Sequence, residues 1–330
     1  MSEKTGRPKI LVTREVFDET LAYLSEHCDV ECNQDDVALG PDELLRRLAD
    51  KDGVICSLTD RIDAALIAGS KALKVVANIA VGYNNIDVAA CTARGIMATN
   101  TPGVLDDSTA DLAWTLMLGA ARRVTEVERY IREGEWKGWR LKQWLGIDVH
   151  HSTLGIVGLG RIGQAIAKRA TGFDMRVLYH NRKRVAESVE LELKAAWVSL
   201  DELLRQSDFV VLQVPYSTET HHLIGAAELA KMKPSAVLIN STRGGVVDDA
   251  ALVEALKNRT IRAAGLDVFE NEPKLNPAFL ELDNVVLTPH IGSSTEATRR
   301  AMAMTAAKNA VAALTGGRPS NLINPEAKKL

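Results

Sequence analysis

The chain contains 330 residues, a length that suggests two domains rather than one. Apolar residues make up 46% and charged residues 25% of it, which is typical of a soluble globular protein. The net charge of -3 provides no overall positive field that would attract nucleic acid or an anionic membrane surface. No apolar run approaches the roughly 18 residues that a membrane span requires, and the polar N-terminus lacks the apolar core of a signal peptide. We therefore expect a cytoplasmic protein with no nucleic-acid or membrane partner.

The four cysteines show no spacing typical of a metal site. They are Cys28, Cys32, Cys56 and Cys91. Cys28 and Cys32 lie on a predicted short strand, without a second cysteine pair to complete a metal-ligand set. Their pattern favours reduced thiols in a cytoplasmic protein, and we expect no bound metal.

The first hundred residues alternate between apolar runs typical of buried strands and segments with helical apolar spacing. The predicted strands are residues 9–12, 29–32, 53–56 and 73–80. The predicted helices are residues 16–24, 41–48 and 62–68. Pro41 opens the second of these helices, in keeping with the preference of proline for the first helical turn. This alternation predicts a parallel sheet with right-handed crossovers.

The motif V-G-Y-N-N-I-D begins at Val81, directly after the fourth predicted strand. Ligands of open α/β sheets bind beyond the carboxyl ends of the strands. The backbone N–H groups of Val81 and Gly82 could form a nest that holds an anion. A plain turn between strand and helix is the alternative, and the surrounding motifs have to decide between the two.

A break in the pattern at residues 100–103, N-T-P-G, marks a passage between two domains. A long helix is predicted from Asp106 to Glu133, and we expect it to be buried because its middle is apolar almost all round. Three tryptophans follow on an irregular segment: Trp136, Trp139 and Trp144. Core packing and an oligomer contact both remain open for them, since tryptophan favours interfaces as well as interiors.

Residues 153–163, T-L-G-I-V-G-L-G-R-I-G, place a G-x-G-x-x-G spacing between a strand pattern and a helical pattern. In this spacing Gly158 permits a tight turn, Gly160 lets a pyrophosphate approach the backbone, and Gly163 lets the helix pack closely on the strand. The free N–H groups and the positive dipole end of the helix N-terminus favour phosphate. The sequence therefore predicts a dinucleotide site, with a glycine-rich structural turn as the alternative.

The next predicted strand, residues 175–179, leads into H-N-R-K-R. An NAD site carries an acidic residue at this point, which holds the 2′-hydroxyl of the adenosine ribose. This chain instead has Asn181, followed by Arg182, Lys183 and Arg184. A carboxylate would repel a 2′-phosphate, whereas a guanidinium binds it through charge-assisted hydrogen bonds. We infer a preference for NADP(H); a solvated basic loop that still accepts NAD(H) is the alternative.

The remaining chain continues the alternation of strands and helices. Predicted strands are residues 209–214, 236–239, 262–266 and 285–287. Predicted helices are residues 200–205, 226–231 and 248–257. The last predicted helix, residues 295–314, should return to the first domain, because the nucleotide-binding sheet is already complete.

Three polar residues come shortly after predicted strands: Arg243, Glu272 and His290. Each alone has an ordinary explanation, as a surface charge, a helix cap or a loop histidine. Beside a nicotinamide cofactor, they form a set suited to the reduction of a 2-keto acid. The Arg243 guanidinium would bind the substrate carboxylate through two hydrogen bonds. His290 would donate a proton to the carbonyl oxygen, and Glu272 would hold the ring and favour its protonated form.

The chain resembles the D-isomer-specific 2-hydroxyacid dehydrogenases over essentially its full length. The resemblance rests on six ordered motifs: V-G-Y-N-N-I-D (81–87), N-T-P-G-V (100–104), G-L-G-R-I-G (158–163), N-S-T-R-G-G-V-V-D (240–248), G-L-D-V-F-E-N-E-P (265–273) and T-P-H-I-G-S (288–293). Within the family, residues 146–163 and 219–225 are similar to glyoxylate/hydroxypyruvate reductases, including a bacterial type that also reduces 2-ketogluconate. One departure concerns Ala80, which stands where the family often has glycine and so leaves the accepted substrate size open.

This resemblance implies that Arg243, Glu272 and His290 are the catalytic residues, and that Val81 and Gly82 bind the substrate carboxylate together with Arg243. Together with the glycine motif and the basic loop, it also implies a set of cofactor contacts. They are Thr109, Gly158, Gly160, Arg161, Ile162, Gly163, Asn181, Arg182, Arg184, Pro215, Thr220, Thr242, Asp267, His290 and Gly292. The implied assembly is a homodimer, in which the segment after the long helix reaches the partner's site.

The implied fold class is α/β, with two doubly wound parallel-sheet domains. Residues 1–102 and 292–330 would form a flavodoxin-like substrate domain, and residues 103–291 a Rossmann nucleotide-binding domain. The implied reaction is the NADPH-dependent reduction of glyoxylate and hydroxypyruvate to glycolate and D-glycerate. Two alternatives stay open: a reductase of larger 2-keto acids such as 2-ketogluconate, and a non-catalytic protein that senses a dinucleotide.

Overall fold

The computed structural model describes residues 6–327. The strands are β1 (Lys9–Val12), β2 (Asp29–Cys32), β3 (Gly53–Cys56), β4 (Val75–Asn78), β5 (Met97–Thr99), β6 (Thr153–Val157), β7 (Arg176–His180), β8 (Ala195–Trp197), β9 (Phe209–Leu212), β10 (Val237–Asn240), β11 (Ala263–Leu266) and β12 (Val285–Leu287). The helices are α1 (Asp18–His27), α2 (Pro41–Leu48), α3 (Ala64–Gly69), α4 (Val88–Ala93), α5 (Asp106–Ala121), α6 (Val124–Arg132), α7 (Arg161–Ala170), α8 (Glu187–Leu193), α9 (Leu200–Gln206), α10 (Ala226–Leu229), α11 (Asp249–Lys257) and α12 (Glu296–Leu314). Short 3-10 helices cover Thr171–Phe173 and Pro277–Glu281. Among residues 6–327, every helix is too short or too polar to span a bilayer.

The chain divides into two compact units. The first unit comprises the described residues up to Leu105 and from Ser294 onward, and the second unit is Asp106–Ser293. The domain limits expected from the sequence, after residue 102 and before residue 292, lie near these points. Every pairing between the strands is parallel, so the predicted α/β class with two parallel-sheet domains is confirmed.

The sheet of the first unit has the strand order β2-β1-β3-β4-β5, which is the flavodoxin order. Successive side chains of a strand point to opposite faces. Ile10 and Val12 of β1 therefore belong to a core with α1 and α12, whereas Leu11 belongs to a core with α2, α3 and α4. Both faces of the sheet are covered, which explains why its strands are continuous apolar runs.

The sheet of the second unit has the strand order β12-β11-β10-β9-β6-β7-β8. This is the Rossmann order with one further strand at the β12 edge. Leu154 and Ile156 of β6 pack into a core with α5 and α7, whereas Val210 and Leu212 of β9 pack into a core with α9, α10 and α11. The carboxyl ends of β6, β7, β9, β10, β11 and β12 consequently share one edge of the sheet.

The prediction of one helix from Asp106 to Glu133 is wrong, because the chain turns between α5 and α6. Arg123 adopts a left-handed backbone conformation with φ of 59° and pairs with Glu126 through two hydrogen bonds of 2.7 Å. The carbonyl of Ala121 accepts a hydrogen bond from the Ile147 amide at 3.0 Å, which caps the end of α5. The expected burial applies to α5, whereas α6 contains no buried residue.

Candidate active site

The structure brings the predicted residues of the second unit to the carboxyl edge of its sheet. Each group of residues follows a different strand. Because the strands are parallel, residues that are far apart in sequence come to lie at the same edge of the sheet. The glycine motif follows β6, Asn181 to Arg184 follow β7, Pro215 and Thr220 follow β9, Thr242 and Arg243 follow β10, Asp267 and Glu272 follow β11, and His290 and Gly292 follow β12. Thr109 of α5 also lies at this edge, next to Gly292. A Cβ built on Gly292 would be 3.4 Å from the Cγ2 atom of Thr109.

The three glycines of the motif occupy different environments. Gly158 has a φ of 104°, and a Cβ on it would lie 2.4 Å from the Gln213 carbonyl oxygen. A Cβ on Gly163 would lie 2.3 Å from the Gly158 oxygen, so helix α7 packs directly on the turn. A Cβ on Gly160 would meet no atom within 4 Å. The space beside Gly158 and Gly163 is therefore occupied by the protein's own backbone, whereas the space beside Gly160 is open.

Helix α7 begins at Arg161, directly after this open space. Its N-cap residue is Gly160, which has no side chain to accept a hydrogen bond from the first-turn amides. Arg161 is exposed and Ile162 half-buried, while Gly163 is buried against the turn. Uncapped amides at a helix N-terminus attract phosphate, so the residues present fit a dinucleotide pyrophosphate.

The basic residues after β7 differ in their contacts with the rest of the unit. Arg184 is bound to the buried Glu190 by two hydrogen bonds of 2.7 and 2.6 Å. Hydrogen bonding to Arg184 is the main reason that the pKa of Glu190 falls to about 2. Arg182 and Lys183 are exposed. Arg184 is thus tied to α8, and Arg182 is the residue better placed to meet a ligand.

Asn181 supports the glycine turn. Its side-chain oxygen accepts a hydrogen bond of 2.7 Å from the Leu159 amide. Its own carbonyl accepts from the Trp197 indole at 3.1 Å. An asparagine at this position therefore fixes the loop after β6 while carrying no charge that would oppose a phosphate.

Predicted contacts after β9 and β10 lie on linked loops. The Thr242 hydroxyl donates a hydrogen bond to the Val214 carbonyl, next to Pro215. The Thr220 hydroxyl donates to the Pro215 carbonyl at 2.7 Å. The first of these hydrogen bonds joins the two loops, and the second fixes the loop after β9 internally.

The acid and the histidine predicted for proton transfer are directly bonded. His290 Nδ1 lies 2.8 Å from Glu272 Oε2, and the two side chains are 24% and 29% exposed. The other carboxylate oxygen of Glu272 accepts a hydrogen bond of 2.8 Å from the Phe269 amide. Because Nδ1 is held by Glu272, Nε2 is the ring nitrogen left to face a ligand.

Burial and charge set the electrostatics of this group. For Glu272 burial is the largest influence and acts upward, but hydrogen bonding and charge from His290, the Phe269 amide and Arg243 together lower its pKa below the ordinary value. Burial lowers the pKa of Arg243, and the charge of Glu272 opposes that shift. Arg243 and Glu272 therefore stabilise each other's charged forms.

Asp267 anchors the loop that carries His290. Its carboxylate accepts hydrogen bonds from the Ile291 and Gly292 amides at 2.8 and 2.9 Å and from the Thr288 hydroxyl at 2.6 Å. Burial raises the pKa of Asp267, although these hydrogen bonds and the charge of His290 oppose the shift. The position predicted as a cofactor contact therefore also orients the histidine.

In the first unit, the loop after β4 is held by the side-chain amides of the buried Asn78 and the half-buried Asn100. Asn78 Nδ2 donates to the Gly82 carbonyl at 2.9 Å, and Asn100 Nδ2 donates to the Val81 carbonyl at 2.8 Å. In a trans peptide the N–H points away from the carbonyl, so fixing the Val81 carbonyl also fixes the direction of the Gly82 N–H. Ala80, just before this loop, is 4% exposed.

Sequence reasoning missed these supporting residues. Asn78 and Asn100 are separated by 22 positions, and nothing in their local sequence indicates that both bind one loop. The Glu190 partner of Arg184 was equally hidden, since it lies on a helix that the sequence pattern did not predict. Asparagines at the ends of strands next to an anion-binding loop are the signal that could have been used.

Two features lie away from this sheet edge. Trp136 and Trp139 are 63% and 80% exposed, so core packing within the chain is the wrong interpretation for both. A cavity of about 330 Å³ lies at the amino ends of β11 and β12, between residues that include Arg123, Arg262 and Asp283. None of the predicted site residues lines this cavity, so the candidate site is defined by the loops.

Among the described residues, no cluster of three or more His, Cys, Asp or Glu side chains is placed to bind a metal.

A two-sheet α/β protein with a dinucleotide turn and an Arg, Glu and His set at one sheet edge belongs to the class of nicotinamide-dependent oxidoreductases. The family model described as "D-isomer specific 2-hydroxyacid dehydrogenase, NAD binding domain" matches residues 114–292. The chain belongs to the D-isomer-specific 2-hydroxyacid dehydrogenase family, as the sequence motifs predicted, and is an enzyme of that family.

Relatives cover the chain almost end to end. A glyoxylate reductase from Pyrococcus horikoshii is 49% identical over 328 residues, 98% of each chain. A glyoxylate reductase from Thermococcus onnurineus is 48% identical over 324 residues, 97% of each chain. A solved NADPH-dependent glyoxylate/hydroxypyruvate reductase from Sinorhizobium meliloti, in complex with NADP and malonate, superposes with a TM-score of 0.86 at 34% identity and 98% coverage of both chains.

Proposed function

We propose that this protein is an NADPH-dependent reductase of glyoxylate and hydroxypyruvate, forming glycolate and D-glycerate. The observation that carries the proposal is the 2.8 Å hydrogen bond between His290 Nδ1 and Glu272, beside Arg243 at the carboxyl edge of the sheet. The relatives named glyoxylate reductase support the choice of substrate.

The reaction requires a hydride at the keto carbon and a proton at its oxygen. When bound, the reduced nicotinamide supplies the hydride. His290 Nε2 donates the proton to the carbonyl oxygen as it becomes a hydroxyl. Glu272 holds Nδ1 and stabilises the protonated ring before the transfer.

Substrate binding depends on the carboxylate that these keto acids share. A guanidinium can donate two parallel hydrogen bonds to the two oxygens of a carboxylate, a geometry that a lysine cannot provide, and we assign this contact to Arg243. We also assign the Val81 and Gly82 amides to a carboxylate oxygen, since Asn78 and Asn100 hold their loop in one conformation. We propose a keto acid with a small side chain as the substrate because the relatives are named glyoxylate reductase, and larger 2-keto acids such as 2-ketogluconate test how much room the site allows.

The substrate assignment is tested by kcat/KM for glyoxylate, hydroxypyruvate and 2-ketogluconate with each cofactor. We expect turnover of the two small acids with NADPH and a lower kcat/KM for 2-ketogluconate. A preference for 2-ketogluconate would favour the larger-acid alternative. Tight NADPH binding without turnover of any acid would favour a dinucleotide sensor.

The cofactor preference is assigned to residues after β7. Gly158, Gly160 and Gly163 with the first turn of α7 would hold the pyrophosphate, and Arg182 would hold the 2′-phosphate. The absence of an acid at Asn181 and the exposure of Arg182 support this proposal. The Sinorhizobium meliloti reductase was solved with NADP.

Arg182 and Arg184 provide a matched test of this assignment. We expect Arg182→Ala to raise the KM for NADPH about tenfold, the scale of one lost charge-assisted hydrogen bond, while the KM for NADH stays unchanged. Arg184→Ala should change the NADPH:NADH ratio less, because its guanidinium is bound to Glu190. Equal losses for both cofactors in Arg182→Ala would overturn the 2′-phosphate assignment.

We also propose that the enzyme is a homodimer that buries the segment after α6. Several large apolar side chains of α6 and this segment are exposed: Val124, Ile131, Trp136, Trp139, Leu141 and Leu145. Of these, Ile131, Trp136 and Trp139 line one groove, and an exposed apolar patch of this kind is typical of a protein interface. Sedimentation should give twice the chain mass, and Trp139→Ser with Leu141→Ser should shift it toward the monomer; an unchanged dimer would move the interface elsewhere.

A further inference from the structure

One residue outside the proposed catalytic set is bonded to both loops that carry Arg243 and Glu272. The backbone amide of His222 donates to the Gly245 carbonyl at 2.8 Å, two residues beyond Arg243. The His222 Nε2 atom lies 2.5 Å from Glu270 Oε1, two residues before Glu272. His222 therefore links a loop after β10 to a loop after β11.

The two loops are also in direct contact. A Cβ on Gly244 would lie 1.8 Å from the Phe269 carbonyl oxygen, so no side chain fits between them. The Glu270 amide donates to Asp249 Oδ2 at 3.0 Å, which fixes the loop from its other side. Because Gly244 follows Arg243 and Phe269 binds the Glu272 carboxylate, a displacement of Glu270 would move both functional side chains.

The surroundings of His222 favour a tight histidine–carboxylate pair. Besides Glu270 on Nε2, Asp248 Oδ2 lies 3.9 Å from Nδ1. The His221 ring stacks on the His222 ring with centroids 3.9 Å apart. His222 also adopts a left-handed backbone conformation, φ of 50°, which persists in a non-glycine residue only where surrounding contacts enforce it.

We propose that His222 and Glu270 form a positioning pair, which sets the placement of Arg243 relative to the Glu272–His290 pair. The proposal rests on the proposed function, because it gives the residues of that function a support outside the reacting group. His222 and Glu270 act through the two loops and take no part in proton transfer themselves.

His222→Asn tests this pair with the backbone preserved. Asparagine tolerates a left-handed conformation but is too short to reach Glu270. We expect kcat for glyoxylate to fall about tenfold, on the scale of coupling within a hydrogen-bonded network, while the Kd for NADPH stays unchanged. His150→Asn is the matched control, because His150 is another exposed histidine beside a carboxylate, Asp148, and lies before β6 rather than against these loops. It should keep kcat within about twofold of the wild type, as a surface substitution does.

Variants of Glu270 separate positioning from general damage. Glu270→Ala should match His222→Asn, and the double variant should be no worse than either single one, because both remove the same link. Glu270→Gln keeps an oxygen for His222 and should restore most of kcat. Losses that multiply in the double variant, or a Glu270→Gln enzyme as impaired as Glu270→Ala, would overturn the proposal.

Hydrogen–deuterium exchange gives a readout that does not need turnover. Amides of residues 244, 245 and 269–272 should exchange faster in His222→Asn than in His150→Asn or the wild type. If the wild type reduces no keto acid, the proposed function fails while this comparison still tests the pair. Unchanged exchange together with unchanged kcat in His222→Asn would refute the positioning role, as would a loss of melting temperature alone with kcat intact.

Discussion

The two units hold their candidate ligand-binding loops with different chemistry. In the first unit the loop at Val81 and Gly82 is fixed by neutral amides, and Asn78 is fully buried. In the second unit the loops are joined by ionisable groups that remain partly exposed, such as the His290–Glu272 pair. A buried amide keeps its hydrogen bonds at any pH, whereas an imidazole and a carboxylate change charge. Under the proposed function, the first unit would therefore supply a fixed geometry and the second unit would handle the proton.

Removal of the His290 imidazole should have the largest effect. We expect His290→Gln to lower kcat for glyoxylate about 10³-fold, within the range of a lost general acid. NADPH affinity should be retained, because the glycine turn is not altered. Stopped-flow turnover and a fluorescence titration with NADPH measure the two quantities. Near-normal turnover would remove His290 as the proton donor and place proton handling elsewhere.

Asn78→Leu tests the neutral support of the first unit. Leucine has a similar volume but cannot donate to the Gly82 carbonyl, and an unpaired buried acceptor costs roughly 1–3 kcal/mol. If the loop relaxes to recover that energy, the KM for glyoxylate should rise about tenfold with little change in kcat. The pH dependence of kcat should stay that of the wild type, since no ionisable group is altered.

The control for this variant is Asn324→Leu in the same unit. Asn324 is 1% exposed, and its side chain donates to the Ile96 carbonyl at 2.9 Å, far along the chain from the Val81 loop. Both variants should lose stability in urea, but only Asn78→Leu should raise KM. Equal KM values for glyoxylate in the two variants would show that the Asn78 amide does not support substrate binding through the Val81 loop.

The fold was largely predictable because its signals are local and strong. Apolar runs separated by helical spacing located β1, β3, β6 and β9, and parallel topology then follows from crossover rules. β5 and β8 were missed because each has three residues with little strand character, M-A-T and A-A-W, whereas the equally short β12 was predicted from its continuous V-V-L run. The turn between α5 and α6 was missed for another reason: Arg122 and Arg123 include no glycine or proline, so the apolar spacing of α5 continues without a visible break.

The candidate site was predictable only for residues whose chemistry is carried by a motif. The glycine spacing indicated the dinucleotide turn, and a strand pattern preceded each member of the Arg, Glu and His set. Arg182 and Arg184 look equivalent in sequence, and only the folded path of the loop shows that Glu190 binds one of them. The same holds for His222, whose two partners come from different loops.

Glu272→Gln tests the ionisable support of the second unit through stability, and the expected effect is the smallest. The pKa of Glu272 in the folded protein lies below its ordinary value of about 4.5. Its ionised form therefore stabilises the fold at pH values above that ordinary value, and the contribution is lost as the pH falls through the lower folded value. A glutamine oxygen can accept from the Phe269 amide or from His290, but not from both on equal terms.

We expect the wild type to exceed Glu272→Gln by about 1 kcal/mol near pH 6, a value reduced for partial exposure, and by progressively less below pH 4.5. Urea midpoints measured from pH 3 to pH 7 give the difference directly. The Asn78→Leu variant supplies the contrast, because its deficit should be the same at every pH in this range. Curves for wild type and Glu272→Gln that run parallel down to pH 3 would show that the carboxylate charge does not support these loops.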